Sequence, residues 1–162
     1  MTQTQTQSRA PGEGEERLES GDFESRLTFQ SDGWLVSNLD EHVKERGTVL
    51  LSRFKDSGVV INCYQPGQAD EMHAHPKSEH TFLVWKGQLH VRGVEDGEEL
   101  TLNPGDFVQI KAGYYYQLHN PGTELAVYCQ FRTIPAKRAK QGRVWFAQSR
   151  RGKQEAAARA GA

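Results

Sequence analysis

Short apolar segments alternate with polar turns through the middle of the chain. Each segment has five to eight residues and is rich in β-branched and aromatic side chains, a pattern typical of β-strands. No stretch of comparable length shows helical periodicity, so the pattern predicts an all-β fold, an antiparallel sandwich or jelly-roll barrel. The predicted strands are residues 48–54, 58–64, 80–86, 88–93, 98–102, 106–110, 114–118 and 124–131.

The two ends of the chain lack this pattern and are predicted to be disordered extensions of one domain over residues 26–135. Residues 1–25 carry Thr and Gln repeats followed by Gly and Glu, with almost nothing apolar to bury. Residues 136–162 form a basic tail, with eight Lys and Arg against Glu155 alone, and its end reads as a weak helix or a free segment. Within the tail, residues 143–148 could add a final strand or anchor, because their Trp and Phe would otherwise expose large apolar groups.

Composition and charge exclude several classes of function. The chain of 162 residues is long enough for one domain with a core, and its formal charge of -1 argues against a protein that binds polyanions as a whole. The basic tail has no regularly spaced aromatic residues for stacking, so nucleic acid is not the expected partner. No apolar run approaches the roughly 20 residues that span a bilayer, and the first residues lack the apolar core of a signal peptide. A cytoplasmic protein without membrane contact is expected, with Cys63 and Cys129 as buried free thiols.

Three of the six histidines stand close together, at positions 73, 75 and 80. His73 and His75 are separated by one residue, and a strand sends such residues to the same face, so both imidazoles can converge on one ion. The polar residues 76–79 suit a tight turn, after which the next strand would bring His80 beside His75. The pattern indicates a metal site.

With this cluster in a predicted barrel, residues 48–132 resemble the cupin superfamily. The first cupin motif sets Gly, His-x-His, Glu and a closing Gly at fixed spacing, and the matching positions here are Gly67, His73, His75 and Gly87. Where the family has Glu, this chain has His80, and the glutamate is displaced by one residue to Glu79. Because successive strand residues face opposite ways, only one of the two can easily point at the ion. His80 is favoured, since it keeps the family spacing to the closing glycine.

The second cupin motif is altered at its metal ligand. Gly105, Gly113 and Asn120 match the motif, whereas Lys111 replaces the family's proline and Tyr116 its histidine. His119 could supply the fourth ligand if the local register shifts, but it lies on the opposite strand face from Tyr116, so both cannot point inward without a bulge. We expect Tyr116 to face the site. A four-histidine site and a three-histidine site with a phenol nearby both remain open.

The resemblance implies a divalent transition metal and a small-molecule substrate. Imidazole ligands favour Fe or Zn, with Ni, Cu and Mn as further candidates. Cupins with all-histidine sites include non-haem iron dioxygenases and small polyketide cyclases, so a carbonyl or enol metabolite is expected, with Tyr116 or Glu79 transferring a proton. A non-catalytic cupin that binds or senses a ligand at a degenerate metal site is the alternative. Cupins often pair, so a homodimer is expected.

Other aromatic and histidine positions carry separate predictions. The substrate cavity is expected to be lined by Phe82, Val84, Phe107 and Leu118. Trp85 is expected in the core, His42 at the surface, and His90 in a strand without a metal role.

Overall fold

Thirteen β-strands and one α-helix form the regular structure of the residues that the computed structural model describes, namely 24–25, 29–31, 34–134 and 142–161. Two short 3-10 helices cover Leu39–His42 and Phe146–Gln148. The strands are β1 (Glu24–Ser25), β2 (Phe29–Ser31), β3 (Trp34–Leu35), β4 (Gly47–Arg53), β5 (Ser57–Tyr64), β6 (His73–Ala74), β7 (His80–Lys86), β8 (Leu89–Arg92), β9 (Glu99–Leu102), β10 (Phe107–Ile110), β11 (Gln117–His119), β12 (Ala126–Thr133) and β13 (Val144–Trp145), and the helix is α1 (Arg150–Ala160). Each of the eight predicted strands overlaps an observed one, although the strand predicted over residues 114–118 is observed at Gln117–His119. No helix in this described part of the chain is long and apolar enough to cross a bilayer.

Two main sheets form an antiparallel jelly roll. The larger sheet has the order β1-β4-β5-β12-β7-β10, and its pairings are antiparallel except for that of β1 with β4. The smaller sheet has the order β11-β8-β9. β6 pairs with β13, and a bridge between His73 and Tyr116 ties β6 to the chain just before β11. The predicted jelly-roll fold is therefore confirmed.

Strand alternation gives each sheet one face in the core between the sheets. On β7, Phe82 and Val84 point inward, and Tyr128 of β12 packs beside them. Burying an apolar side chain of this size stabilises a fold by about 1.5–3 kcal/mol, so this cluster holds the two sheets together. Its buried members are Phe82, Val84, Leu89, Val91, Leu102, Ile110, Tyr116, Leu118 and Tyr128.

A second apolar cluster lies on the outer face of the larger sheet, where the alternate residues of the same strands point. Cys63 and Cys129 are both buried, with no disulfide in the described chain, which confirms the prediction of buried free thiols. The members of the outer cluster are Val49, Leu51, Ile61, Cys63 and Val127, and Leu39 and Val43 pack against them.

The C-terminal segment packs onto the barrel. β13 pairs antiparallel with β6, which confirms the final strand expected within residues 143–148. Ser149 caps α1, because its hydroxyl accepts the backbone N–H of Gly152 at 3.0 Å. Arg151 reaches the loop between β8 and β9, where its guanidinium donates to Glu95 at 2.7 Å. The disorder predicted for this extension is therefore wrong for residues 142–161, and of the two alternatives for the end of the tail the structure has the helix.

Three side chains lie where the sequence did not place them. Phe107, expected in the cavity wall, is 66% exposed because it faces outward on β10, opposite Leu83 of β7. Trp85, expected in the core, is 43% exposed because it alternates with inward-facing Val84. His42, expected at the surface, is buried, and its ring is hydrogen-bonded to Ser37.

The predicted N-terminal arm falls mostly outside the described residues. Glu24–Ser25 is the exception, and its backbone pairs in parallel with β4 at the edge of the larger sheet. The disorder predicted for residues 1–23 lies outside the part of the chain that the structure describes.

Candidate functional site

Three buried histidines lie together on neighbouring strands. His73 opens β6, His75 follows that strand, and His80 opens β7, and each of the three is at most 4% exposed. The ring centroids of His73 and His75 are 5.2 Å apart, and those of His75 and His80 are 4.1 Å apart. The turn predicted between the two strands therefore brings His80 beside His75.

Backbone hydrogen bonds fix this part of the chain. His73 and Tyr116 exchange both of their backbone hydrogen bonds, each at 2.9 Å. The carbonyl of His75 accepts the backbone N–H of Gly113 at 2.8 Å. Gly113 has a φ of 80°, a conformation that side chains other than glycine rarely adopt, so this turn depends on the glycine of the second motif.

Two of the imidazoles are oriented by backbone carbonyls. Nδ1 of His73 donates to the carbonyl of Glu71 at 2.7 Å, and Nδ1 of His75 donates to the carbonyl of Gly142 at 2.8 Å. A carbonyl can only accept, so the proton of each neutral ring is on Nδ1 and the lone pair is on Nε2. Metal-ligating histidines commonly have this arrangement, in which the second nitrogen is held by an acceptor.

His80 is held differently, through side chains. Its Nδ1 is hydrogen-bonded to the hydroxyl of Tyr116 at 2.8 Å and accepts from the amide of Gln130 at 3.1 Å. Its Nε2 is buried and has no hydrogen-bond partner among the described residues. Burial, and then the charge of neighbouring His75, lowers the pKa of His80 to about 2, so the ring is neutral at physiological pH.

Tyr116 connects the histidines to a cavity. Its ring is 4.6 Å from that of His73 and 5.6 Å from that of Phe82, and it is 3% exposed. It also lines a cavity of about 320 Å³ that lies between β9 and β10, the edge strands of the two main sheets. The remaining lining residues are Val91, Gly93, Glu98, Glu99, Leu100, Val108, Gln109, Ile110, Lys111 and Tyr114. Phe82, Val84 and Leu118, expected in the cavity wall, are instead buried in the core between the sheets.

The histidine cluster also has an acidic neighbour that the sequence did not single out. One carboxyl oxygen of Asp70 accepts the backbone N–H of Leu118 at 2.7 Å, and the other is 3.7 Å from Nδ1 of His73. Burial raises the pKa of Asp70 to about 7, although Leu118 N–H and the charge of Arg143 act in the opposite direction. The only signal in the sequence was its position three residues before the first histidine of the motif.

Gln130 was missed for a different reason. It lies on β12 with the same parity as inward-facing Tyr128, in the register that pairs it with Phe82. Alternation along the last predicted strand indicates an inward amide, but only the pairing of β12 with β7 brings it to His80.

Two predicted site residues are not brought to the cluster. Glu79 is exposed rather than directed into the barrel, and its backbone is hydrogen-bonded to Thr133. His119 lies on the opposite face of the chain from Tyr116, and its ring is 6.4 Å from that of His90. Tyr116 is thus the residue of the second motif that faces the histidines, and His80 rather than Glu79 is the one from the first.

The donor set fits a transition metal in chemistry but is not already arranged around one. Within residues 24–25, 29–31, 34–134 and 142–161, no group of three or more His, Cys, Asp or Glu side chains is placed to hold an ion. The three histidines nevertheless have the chemistry that a transition-metal ion requires. His73 and His75 have Nε2 as their lone-pair nitrogen, and His80 has a buried Nε2 without a partner among the described residues. These three residues would hold the ion.

Comparisons with known proteins agree with this fold. Residues 60–131 match the family model described as a cupin domain. A conserved protein with a double-stranded β-helix domain from Klebsiella pneumoniae subsp. pneumoniae MGH 78578 has a similar structure, with a TM-score of 0.58 and 24% identity, over 68% of this chain and 95% of its own. TT1209 from Thermus thermophilus has a TM-score of 0.56 and 22% identity, over 62% of this chain and 96% of its own. BH2720 from Bacillus halodurans has a TM-score of 0.57 and 17% identity, over 66% of this chain and 84% of its own. No curated protein sequence matches.

Proposed function

Because residues 60–131 match the cupin domain, the chain is a member of the cupin superfamily, and we propose that it is a metal-dependent enzyme acting on a small carbonyl or enol metabolite. The observation that carries the proposal is the position of Tyr116, which is in contact with the histidine cluster and also lines the cavity. A substrate in that cavity would be separated from His80 by one side chain.

The cavity has the size and lining of a small-molecule site. Its volume of about 320 Å³ is at the lower end of the range of roughly 300–1,000 Å³ usual for ligand pockets. Val91, Leu100, Val108 and Ile110 supply apolar walls, and the polar lining residues are Glu98, Glu99, Gln109, Lys111, Tyr114 and Tyr116. This mixed lining favours a compact substrate with an apolar body and polar oxygen functions.

The residues around the cluster can hold and move a proton. The hydroxyl of Tyr116 is 2.8 Å from Nδ1 of His80, and the tautomer of the neutral ring decides which of the two atoms donates the proton of this hydrogen bond. The carboxyl of Asp70, with its pKa raised to about 7 by burial, can hold a second proton near His73 at neutral pH. Exposed Glu79 is a poorer candidate for this role than Tyr116.

A divalent ion at His73, His75 and His80 would supply a Lewis acid that stabilises negative charge on a substrate oxygen, and iron would add the capacity to react with oxygen. Burial of the three rings excludes bulk water from the site, which strengthens every electrostatic interaction within it. Both a dioxygenase and a redox-neutral cyclase or isomerase are compatible with these residues.

Metal analysis followed by an oxygen-uptake survey tests the proposal. Protein purified without chelators is expected to contain about one transition-metal ion per chain, and oxygen uptake is then measured with diketones, thiols and catechol-type acids. Iron with uptake identifies the dioxygenase, whereas zinc without uptake identifies the redox-neutral enzyme. Protein that contains no metal and takes up none on reconstitution would overturn the proposal.

One observation favours a second candidate, a non-catalytic ligand-binding cupin. When Nδ1 of His80 accepts from Gln130, the proton of the neutral ring is on Nε2, and this buried N–H has no partner among the described residues. An oxygen acceptor of a ligand would satisfy it without a metal. Retention of carboxylate or carbonyl ligands by chelator-treated protein, with no turnover in either state, would identify this function.

A further inference from the structure

A row of polar side chains crosses the inner face of the larger sheet and ends at His80. The hydroxyl of Thr48 donates to Oδ1 of Asn62 at 2.8 Å, and Nδ2 of Asn62 donates to Oε1 of Gln130 at 3.5 Å. Nε2 of Gln130 then donates to Nδ1 of His80 at 3.1 Å. The row runs from β4 through β5 and β12 to β7, one residue from each strand.

The direction of the row determines which nitrogen of His80 carries the proton. Each amide uses its oxygen toward Thr48 and its nitrogen toward His80, so Nδ1 receives a donor and must present its lone pair. The proton of the neutral imidazole is then on Nε2. His73 and His75 have the opposite arrangement, since their Nδ1 atoms donate to carbonyls.

We propose that Gln130 is a positioning residue that sets the tautomer of His80, and that the row in its present direction keeps His80 in the Nε2–H form, which cannot ligate a metal through Nε2. Metal loading at His80 requires the row to reverse, so that Oε1 of Gln130 accepts from Nδ1 and the lone pair moves to Nε2. The hydroxyl of Tyr116, at 2.8 Å, is a second acceptor for Nδ1–H in the reversed state. The tautomer assignment is independent of the proposed function. The consequence of the tautomer for metal affinity rests on the proposed function.

The first test is the tautomer of His80 in the metal-free wild-type protein. Two-dimensional NMR of imidazole ¹⁵N nuclei distinguishes a protonated nitrogen from a lone-pair nitrogen, and the His80 signals are assigned by their loss in His80→Ala. We expect Nε2 to be protonated and Nδ1 to be bare. A bare Nε2 with a proton on Nδ1 would overturn the proposal, whether or not the protein binds metal.

The second test reverses the row from a distance. In Asn62→Asp both side-chain oxygens at position 62 only accept, so Gln130 must turn its Nε2 toward position 62 and its Oε1 toward His80. Gln130→Glu places an acceptor beside Nδ1 directly. Both variants are expected to move the His80 proton to Nδ1, although neither changes His80 itself. Unchanged ¹⁵N signals in folded Asn62→Asp would contradict the proposal, and Gln130→Glu provides the same test if Asn62→Asp does not fold.

Zn²⁺ titration of the same metal-stripped proteins measures the consequence for the site. Asn62→Asp and Gln130→Glu are expected to bind Zn²⁺ about tenfold more tightly than wild type, the scale on which residues behind metal ligands act. Gln154→Glu, which adds the same charge on exposed helix α1, is the matched control and should leave affinity unchanged. If the tautomer switches but Zn²⁺ binds no variant, the positioning role stands and the proposed metal site fails. If Zn²⁺ affinity rises equally in the control, the effect is one of net charge, and the link between the tautomer and metal affinity is contradicted.

Discussion

At the scale of single residues, Tyr116 is the side chain on which the site depends most. It occupies the position at which the second cupin motif has a histidine. In place of a fourth imidazole it supplies a phenol, which is hydrogen-bonded to His80. Because it is buried and also lines the cavity, it can contact both the proposed substrate and the proposed metal ligand. The geometry thus brings together three histidines and a phenol rather than four histidines.

Removal of the Tyr116 hydroxyl is expected to destabilise the protein. Tyr116→Phe leaves the ring in the core but deprives buried Nδ1 of His80 of one of its hydrogen-bond partners, at a cost of about 1 kcal/mol in the free energy of unfolding. Urea unfolding measures the change. Tyr115→Phe is the matched control, since Tyr115 packs its ring on Phe146 and should change stability by less than about 0.5 kcal/mol. Equal effects of the two substitutions would mean that the bond to His80 contributes nothing to stability.

Asp70 predicts a pH dependence of stability in the metal-free protein. Burial raises its pKa from 3.8 to about 7 in the folded state, so the folded protein binds this proton more tightly than the unfolded chain does. The stabilisation is therefore fully present below about pH 4 and is lost as the pH rises through about 7. In Asp70→Asn, stability measured by urea unfolding in the presence of a chelator should fall less between about pH 4 and about pH 8 than in wild type. An identical pH profile in the variant would show that Asp70 does not titrate as described.

Sequence reasoning at this scale succeeded where spacing and alternation decide the outcome. His73, His75 and His80 could be grouped from a two-residue period and one turn. Strand parity showed that Tyr116 and His119 cannot both point inward, and Tyr116 was preferred because it stands at the motif position. Gln130 and Asp70 could not be found in this way, because their contacts depend on which strands pair and in what register. Trp85 was misplaced because alternation from inward-facing Val84 was not applied to it. Phe107 was misplaced because its direction depends on the register that pairs it with Leu83 of β7.

At the scale of elements, the structure of the C-terminal segment is the part that composition predicts least well. Its sequence is basic and reads as a tail, yet its backbone pairs with β6, the carbonyl of Gly142 orients His75, and Arg151 fixes α1 to the loop after β8. None of these contacts is local in sequence. A strand of two residues and a polar helix carry too weak a pattern to be predicted without the partners they meet.

Gly152 is expected to be required for the docking of α1. A Cβ at this position would collide with the backbone carbonyl of Phe146, so Gly152→Ala should destabilise the protein by about 1–3 kcal/mol. Helix propensity alone predicts the opposite sign, because alanine is favoured over glycine by about 1 kcal/mol within a helix. Gly161→Ala, where the added Cβ meets only an ordinary contact, is the control. Thermal unfolding of the two variants measures the difference, and stabilisation by Gly152→Ala would show that the helix is not held against Phe146.

At the scale of the whole molecule, the jelly roll followed from the sequence because eight short strands and their turns leave few other ways to bury one face of each sheet. The arrangement of the histidines within the barrel did not follow so completely. Alternation places imidazoles on a face, but it does not say which nitrogen each presents. That depends on the hydrogen bonds that the rings make with Gly142, Gln130 and Tyr116. The homodimer and the cytoplasmic location stay predictions.

Binding of a metal ion should raise the stability of the whole domain. The proposed ligands come from β6, the turn after it and β7, so an ion that binds only the folded state stabilises the contact between β6 and the larger sheet. Wild-type protein with a hundredfold excess of Zn²⁺ over the dissociation constant should be stabilised by about 2.7 kcal/mol relative to the chelated form. Thermal unfolding at matched protein concentration measures this, and an unchanged or lowered melting temperature would count against binding to the native fold.

The most direct measurement of the central claim is a calorimetric titration of Zn²⁺ into metal-stripped wild type, His80→Ala and His90→Ala. His90 lies on β8 outside the cluster and serves as the matched control. The account predicts about one ion per chain for wild type and His90→Ala, and affinity at least about 100-fold weaker for His80→Ala. Wild-type protein that binds no Zn²⁺, or His80→Ala that binds it as tightly as wild type, would contradict the claim that His73, His75 and His80 hold the metal.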